Sequence, residues 1–166
     1  MKTRLRISLK IALLSLAIFC CLTTASAQQA GRTRFDVTNY RIEAQLFPAE
    51  HMLRAAADVT FTPIDATRSV VFELNGSLKV DGIERNGKPL TNFVQDSVGV
   101  GELGPSVRID LGEVVPVGQP VTLRFRWSGA LQSPEGGPLA TKRLAYVGME
   151  GSYLMYAARW YPFHDY

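Results

Sequence analysis

An all-β domain built of short antiparallel strands is what this sequence predicts, and three observations carry that expectation. Between Val121 and Gly129, the apolar Val121, Leu123, Phe125 and Trp127 alternate without a break against Thr122, Arg124, Arg126 and Ser128. Side chains in a strand point to opposite faces at every second residue, so this segment has one apolar and one polar face and belongs to a sheet covered on one side. Burying each of those apolar side chains stabilises by about 1.5–3 kcal/mol, enough to hold the register against a one-residue slip. Turn signals also recur between short alternating runs. Asn86-Gly87 is the strongest of them, because both central residues of a type I′ hairpin turn need positive φ. Finally, no stretch after residue 27 keeps an apolar stripe at the helical period over an ordinary helix length. The expected architecture is an antiparallel β-sandwich or a pair of curved, saddle-like sheets, preceded by a signal-peptide helix.

The signal segment comes first in the chain. Lys2, Arg4, Arg6 and Lys10 precede an apolar run from Ile11 to Leu22, and Ala25-Ser26-Ala27 supplies a small-residue cleavage site before Gln28. These are the parts of a cleavable secretory signal, and the run is short for a transmembrane helix. Residues 1–27 are assigned to a signal peptide, 28–34 to a short linker and 35–166 to the β domain. The expected destination is secreted, periplasmic or extracellular, with no membrane association after cleavage. Both cysteines, Cys20 and Cys21, leave with the signal, so the core must rest on packing without a disulfide. The charge changes as well. Four of the 18 Lys and Arg and none of the 15 Asp and Glu lie in the signal, leaving 14 bases against 15 acids. That balance excludes a basic nucleic-acid footprint.

The strands follow in order. Phe35 opens the first, in which Tyr40, Ile42, Ala44 and Leu46 alternate with Arg41, Glu43 and Gln45 until Pro48 ends the pairing. After a turn at Pro48-Ala49-Glu50-His51 the alternation resumes as Leu53, Ala55, Ala57, Val59 and Phe61, which makes the pair a hairpin. The alanines favour a helix by a few tenths of a kcal/mol each, roughly, but the period-two run that follows them outweighs this. Ser69 to Leu74 is a short strand with an apolar centre, and Leu78 to Arg85 alternates with a break at Asp81-Gly82. Beyond Asn86-Gly87, Lys88 to Gln95 returns, Val107, Ile109 and Leu111 form a further strand, and Gly112 to Pro120 turns the chain into the Val121 strand. Ser133 to Pro138 is a loop by composition, and short strands are expected at Tyr146-Val147 and Tyr153-Leu154-Met155.

Reactive constellations are scarce. His51 and His164 are the only histidines, and no His-Glu-x-x-His is present to place two imidazoles on one helix face, so the chain offers no metal site and no catalytic residue of its own. His51 reads as a solvated turn residue. Ser152, His164 and Asp165 contain the residue types of a triad, but adjacent His and Asp do not orient each other as a triad requires, and Ser152 lacks the Gly-x-Ser-x-Gly elbow. Asn75-Gly76-Ser77 matches a glycosylation sequon and is equally a turn dipeptide. The aromatics Tyr153, Tyr156, Trp160 and Tyr161 fit either a seam against other elements or, in an autonomous secreted β-sandwich binding module, a stacking surface for carbohydrate or a partner.

Taken together, Tyr40-Arg41-Ile42-Glu43-Ala44, the hairpin back to Val59-Thr60-Phe61, the late strand ending Trp127-Ser128-Gly129-Ala130-Leu131, and Ala158-Arg159-Trp160-Tyr161-Pro162-Phe163-His164-Asp165 form a familiar order. In that order the chain resembles the N-terminal β domain of the aminopeptidase N family of zinc metallopeptidases, over essentially all of residues 35–166. The final Ala-Arg-x-x-Pro-x-x-Asp is the most specific part, which gives Arg159, Pro162 and Asp165 the family's structural positions; Phe163 stands where the family often has Cys. The resemblance implies a non-catalytic domain, truncated at its C-terminal end, of a secreted zinc-dependent aminopeptidase. Its partners would be the downstream catalytic domain of the same protein and a peptide substrate, with zinc bound by the full-length enzyme and none by this chain, which alone would be inactive. In the family a Gln or Glu a few residues before the Arg helps bind the substrate's free amine. Leu154 occupies that spacing here, and Glu150 is the nearest acid able to substitute.

Overall fold

In the computed structural model, which describes residues 33–98, 104–132 and 143–164, the alternating runs become strands and the fold is all-β. The strands are β1 (Phe35–Phe47), β2 (Met52–Pro63), β3 (Thr67–Glu73), β4 (Lys79–Arg85), β5 (Lys88–Leu90), β6 (Phe93–Asp96), β7 (Ser106–Val115), β8 (Val121–Ala130), β9 (Ala145–Gly148) and β10 (Gly151–Leu154). They pair antiparallel throughout, as a five-stranded sheet ordered β1-β2-β8-β4-β5, a three-stranded sheet ordered β3-β7-β6 and the β9–β10 hairpin. Helix among the described residues is limited to single 3₁₀ turns at Pro48–Glu50 and Tyr156–Ala158, and no helix there is long and apolar enough to cross a membrane. The signal segment 1–27, most of the linker and the Ser133–Pro138 loop lie outside the described residues.

One core lies between the two larger sheets. The apolar face of β8 is inside, with Trp127 fully buried beside Val121, Leu123 and Phe125, while β2 contributes Leu53, Ala55, Ala57, Val59 and Phe61. From the other sheet come Val70 and Phe72 of β3 and Val107, Ile109 and Leu111 of β7. Phe72 sits at the seam, its ring 5.3 Å from Phe125 and 6.0 Å from Phe61. Tertiary pairing thus overrides the helix propensity of the alanines: Ala55 and Ala57 face inward because each occupies a cross-strand site opposite a buried β8 residue, Trp127 and Phe125 respectively. The opposite face carries polar ladders. Thr60 meets Thr122 at 2.8 Å, both Arg124–Asp58 contacts are near 3 Å, Arg126 reaches Glu84 at 2.6 Å and Ser128 reaches Asp81 at 2.8 Å.

Breaks in the sequence alternation become β-bulges. Val37 faces Phe61 while Asn39 faces Thr60, so Thr38 has no counterpart in β2. The inserted residue changes the parity of inward positions from Phe35 and Val37 to Tyr40 and Ile42, all of which pack on the core. Asp81 plays the same part in β4, letting Val80 and Ile83 both point inward. At Gly82 an added Cβ would come 3.1 Å from the Arg126 guanidinium that lies over it. The Asn86-Gly87 turn has φ of 54° and 73°, as a type I′ hairpin demands.

Two boundaries differ from the sequence expectation. The return from Lys88 to Gln95 is not one strand: β5 stays on the five-stranded sheet and β6 joins the other, with the chain changing sheets at Thr91-Asn92, where the Asn92 carbonyl accepts from the Asp110 N–H at 2.9 Å. Gly112 does not begin a turn. With φ of 83° it lets β7 bend and continue to Val115, and the turn proper runs from Pro116, where the Gly118 N–H donates to the Pro63 carbonyl. On the three-stranded sheet, β3 is an edge strand whose Ser69 is covered by the buried Thr67 hydroxyl. That oxygen donates to the Ser69 carbonyl at 2.7 Å and accepts from the Ser69 N–H at 3.1 Å.

Candidate functional site

Residues singled out from the sequence fall into two places. The first is the end of β3, where the Arg159 segment docks. Glu73 and Phe163 exchange both backbone hydrogen bonds, at 2.7 and 2.8 Å, so the segment is stitched to the sheet as an antiparallel bridge. Arg159 leaves the Tyr156–Ala158 turn in the left-handed region, with φ of 53°, which aims its side chain back at β3. Its Nε donates to Glu73 at 2.6 Å, its guanidinium lies 3.8 Å from the centre of the Phe163 ring, and its carbonyl accepts from the Asn75 N–H. Pro162 is buried, while Asp165 lies outside the described residues.

Asn75 completes this joint. Its Nδ2 donates to the carbonyls of Gln132 and Ala158, and its Oδ1 accepts from the Ser77 N–H and hydroxyl; the Ser77 hydroxyl in turn accepts from the Gln132 N–H. A glycan on Nδ2 would leave one N–H where two carbonyls are now served, so the sequon reads as an Asx turn. Gly76 is required beside it, since an added Cβ would collide with the Ser97 carbonyl. An open cleft of about 690 Å³ lies alongside, lined in part by Glu73, Asn75, Ser77, Val98, Pro105 and Arg159. It holds a cation already neutralised by Glu73 and no group positioned as a base or nucleophile. Sequence reasoning missed Glu73, which has no local signature; its role follows only from a partner 86 residues away.

The second place is the β9–β10 hairpin, beside the turn between β1 and β2. His51 has φ of 55° and is tied to the hairpin: its Nδ1 donates to the Val147 carbonyl at 2.7 Å, so it is an exposed turn residue with a definite anchor. The Tyr146 ring lies over Gly148, where a Cβ would collide with it, and its hydroxyl donates to Glu150 at 2.7 Å. Glu150 is exposed at the hairpin tip, and Leu154, at the family spacing from Arg159, packs on the core. The Tyr146 hydrogen bond, followed by Glu150's own backbone N–H, holds the Glu150 carboxyl below the usual range, and Glu150 in turn raises the Tyr146 phenol. A depressed carboxyl favours the fold above its unfolded-state pKa and loses that contribution as pH falls through the folded value. Tyr146→Phe is accordingly expected to move the Glu150 midpoint upward, read by NMR titration of its side-chain carbons; an unchanged midpoint would show that the hydroxyl is not the cause.

The four aromatics do not form one platform. Tyr153 pairs with Tyr146 at 6.2 Å, whereas Tyr156, Phe163, Tyr161 and Trp160 follow one another at 5.0–6.3 Å, and the Trp160 carbonyl accepts from Trp127 Nε1 in the core. Trp160 and Tyr161 therefore act as a seam. The triad types are not assembled either: His164 stacks on Phe35 at 3.7 Å, and the Ser152 hydroxyl faces the Gly148 N–H. Among the described residues no three His, Cys, Asp or Glu side chains come together to hold a metal ion, so these residues do not fit a zinc site.

No protein-family model matches the sequence, and neither does any curated protein. Solved structures do match the fold. An M1 zinc metallopeptidase from Deinococcus radiodurans is similar over 81% of this chain, with a TM-score of 0.59 and 17% identity. A two-domain M1 zinc metallopeptidase, an E323A mutant bound to L-arginine, gives the same figures, and the Deinococcus radiodurans E323A mutant matches 78% of this chain at a TM-score of 0.57 and 16% identity. At such identity the likeness is one of fold. This chain spans only 28–30% of the length of those proteins.

Proposed function

We propose that this chain is the non-catalytic β domain of a secreted zinc-dependent aminopeptidase, packed against the domain that binds the metal and walling part of its substrate cleft. The observation that supports this reading most directly is the match of about four-fifths of the chain to some three-tenths of a two-domain M1 zinc metallopeptidase. The residues left outside the match in that protein leave room for a catalytic domain; the described residues here have no metal-holding group. Within the reading, the Arg159 joint is scaffold: it spends its charge on Glu73 and fixes the path of the chain beside β3. Glu150 is the residue assigned to the substrate's amine, since it is exposed, has a depressed pKa and accepts from only one hydroxyl side chain, leaving oxygen lone pairs for an ammonium.

The full-length protein recovered from its own host's secreted fraction, with this domain joined to the proposed catalytic domain, tests this. It is expected to begin at Gln28, to carry stoichiometric zinc and to release amino acids from the free amino ends of peptides. Glu150→Gln should raise KM for peptides with a free amine far more than it lowers kcat. An unprocessed N-terminus would remove the secretion part of the proposal, and protein without zinc or amino-acid release would remove the enzyme part.

A further inference from the structure

Two Asn-Gly dipeptides occur in the chain, Asn75-Gly76 and Asn86-Gly87, and the fold treats them in opposite ways. The pair of residue types carries a reaction of its own. The glycine backbone nitrogen can attack the carbonyl carbon of the asparagine side chain, because glycine has no Cβ to obstruct the approach. In a folded chain the attack requires an amide side chain that is free to turn, a glycine nitrogen outside the hydrogen-bond ladder, and room for one to swing toward the other.

Asn86 meets these conditions. It and Gly87 are exposed at the tip of the β4–β5 hairpin, and among the described residues no hydrogen bond involves the Asn86 side chain. Around Gly87 even an added Cβ would meet nothing within 4 Å. The ladder closes between Arg85 and Lys88, which leaves the central Gly87 N–H outside it. Swinging the amide means leaving the type I′ geometry, and little holds that geometry in place: β5 has three residues, one of them Pro89, which has no N–H to give. Asn75 is held on every side. Its Nδ2 serves the Gln132 and Ala158 carbonyls, its Oδ1 accepts from Ser77, its N–H donates to the Arg159 carbonyl and its own carbonyl accepts from Leu78. The Ser97 carbonyl presses on Gly76 as well.

We propose that Asn86 is a site of spontaneous deamidation and isoaspartate formation, and that its hydrogen bonds spare Asn75. A bond forms between the Gly87 nitrogen and Asn86 Cγ. The Cγ–Nδ2 bond breaks, and the proton from the Gly87 nitrogen passes by way of solvent to Nδ2, which leaves as ammonia. Water then opens the resulting cyclic imide at either carbonyl. Opening at Cγ gives aspartate, and opening at the backbone carbonyl carbon gives isoaspartate, in which the main chain runs through the side-chain carbons. Both products place a new carboxylate beside Lys88. Isoaspartate also lengthens the backbone by one carbon, so the Arg85–Lys88 pair that closes the hairpin is lost.

Full-length protein kept folded in mildly alkaline water enriched in heavy oxygen, and sampled over days, tests the assignment, with the Asn75 and Asn86 peptides followed by mass spectrometry. Asn86 is expected to change from amide to acid with uptake of one heavy oxygen, about tenfold or more faster than Asn75, because the bonds at Asn75 must open first. A label from an isoaspartate-specific methyltransferase should appear in the Asn86 peptide. The same incubation in concentrated guanidinium frees both sites from the fold and should bring the two rates together. Equal rates in the folded protein, no conversion of Asn86 while folded, or an advantage of Asn86 that persists undiminished in guanidinium would each overturn the inference.

Discussion

Trp127→Asp should abolish cooperative folding, whereas Arg124→Ala, three residues earlier on the same strand, should be nearly silent. Trp127 is completely buried and donates its indole N–H to the Trp160 carbonyl. Removing so large a side chain costs about 3–5 kcal/mol, and an unpaired carboxylate in the same place adds a further desolvation penalty. Together these approach the whole stability of an ordinary domain, about 5–15 kcal/mol. Arg124 instead sits on the outer face, partly exposed, where its bonds to Asp58 are worth about 0.2–1 kcal/mol. Thermal unfolding followed by circular dichroism compares the two. Similar melting temperatures for both variants would mean that the faces of β8 are misassigned.

Arg159→Ala is the other substitution with a large expected effect, about 2–4 kcal/mol from the lost charge-assisted bond to Glu73 and the lost contact with the Phe163 ring. Its signature should be local. Amide exchange at Glu73, Asn75 and Phe163, the residues stitched across the joint, should speed up well before exchange in β2 and β8. Arg159→Lys keeps the charge but not the planar group that stacks on the ring, so it should fall between the parent and the alanine variant. A uniform rise in exchange across the domain, or none at the joint, would show that the docked segment is not an independently releasable unit.

Legibility in the sequence followed the range of the interactions. The faces of β8, the β1–β2 hairpin and the Asn86-Gly87 turn depend on residues within a few positions of one another, and period-two patterning reports them directly. Even the bulges left a trace, because Thr38 and Asp81 each interrupt the parity of the apolar positions. Which sheet a strand joins is a different kind of question. β5 and β6 read as one returning strand because both are short and neighbouring in the chain; what separates them is the capture of Phe93–Asp96 by β7, a long-range choice. Gly112 reads as punctuation in the sequence, though a positive φ inside a strand serves equally to bend it. At the Arg159 joint the partners of the motif segment, the acceptor Glu73 and the donor Asn75, lie more than eighty residues upstream, where no local pattern marks them. The aromatics show the same limit, for composition names Tyr153 and Trp160 alike while only packing divides them.

The Thr67 hydroxyl limits how far sheets of this protein can polymerise. By occupying both edge groups of Ser69 it acts as a chain terminator on β3, so a strand zipping along that edge from the Glu73–Phe163 bridge reaches one more rung, at Val71, and must then leave. Two other outer strands among the described residues are poor growth points too, since β5 has three residues including Pro89, and β6 has four. Each of these three edges among the described residues thus stops a growing sheet by a different means, a hydroxyl over β3, a proline in β5 and brevity in β6, so that none of them is a template for an open filament.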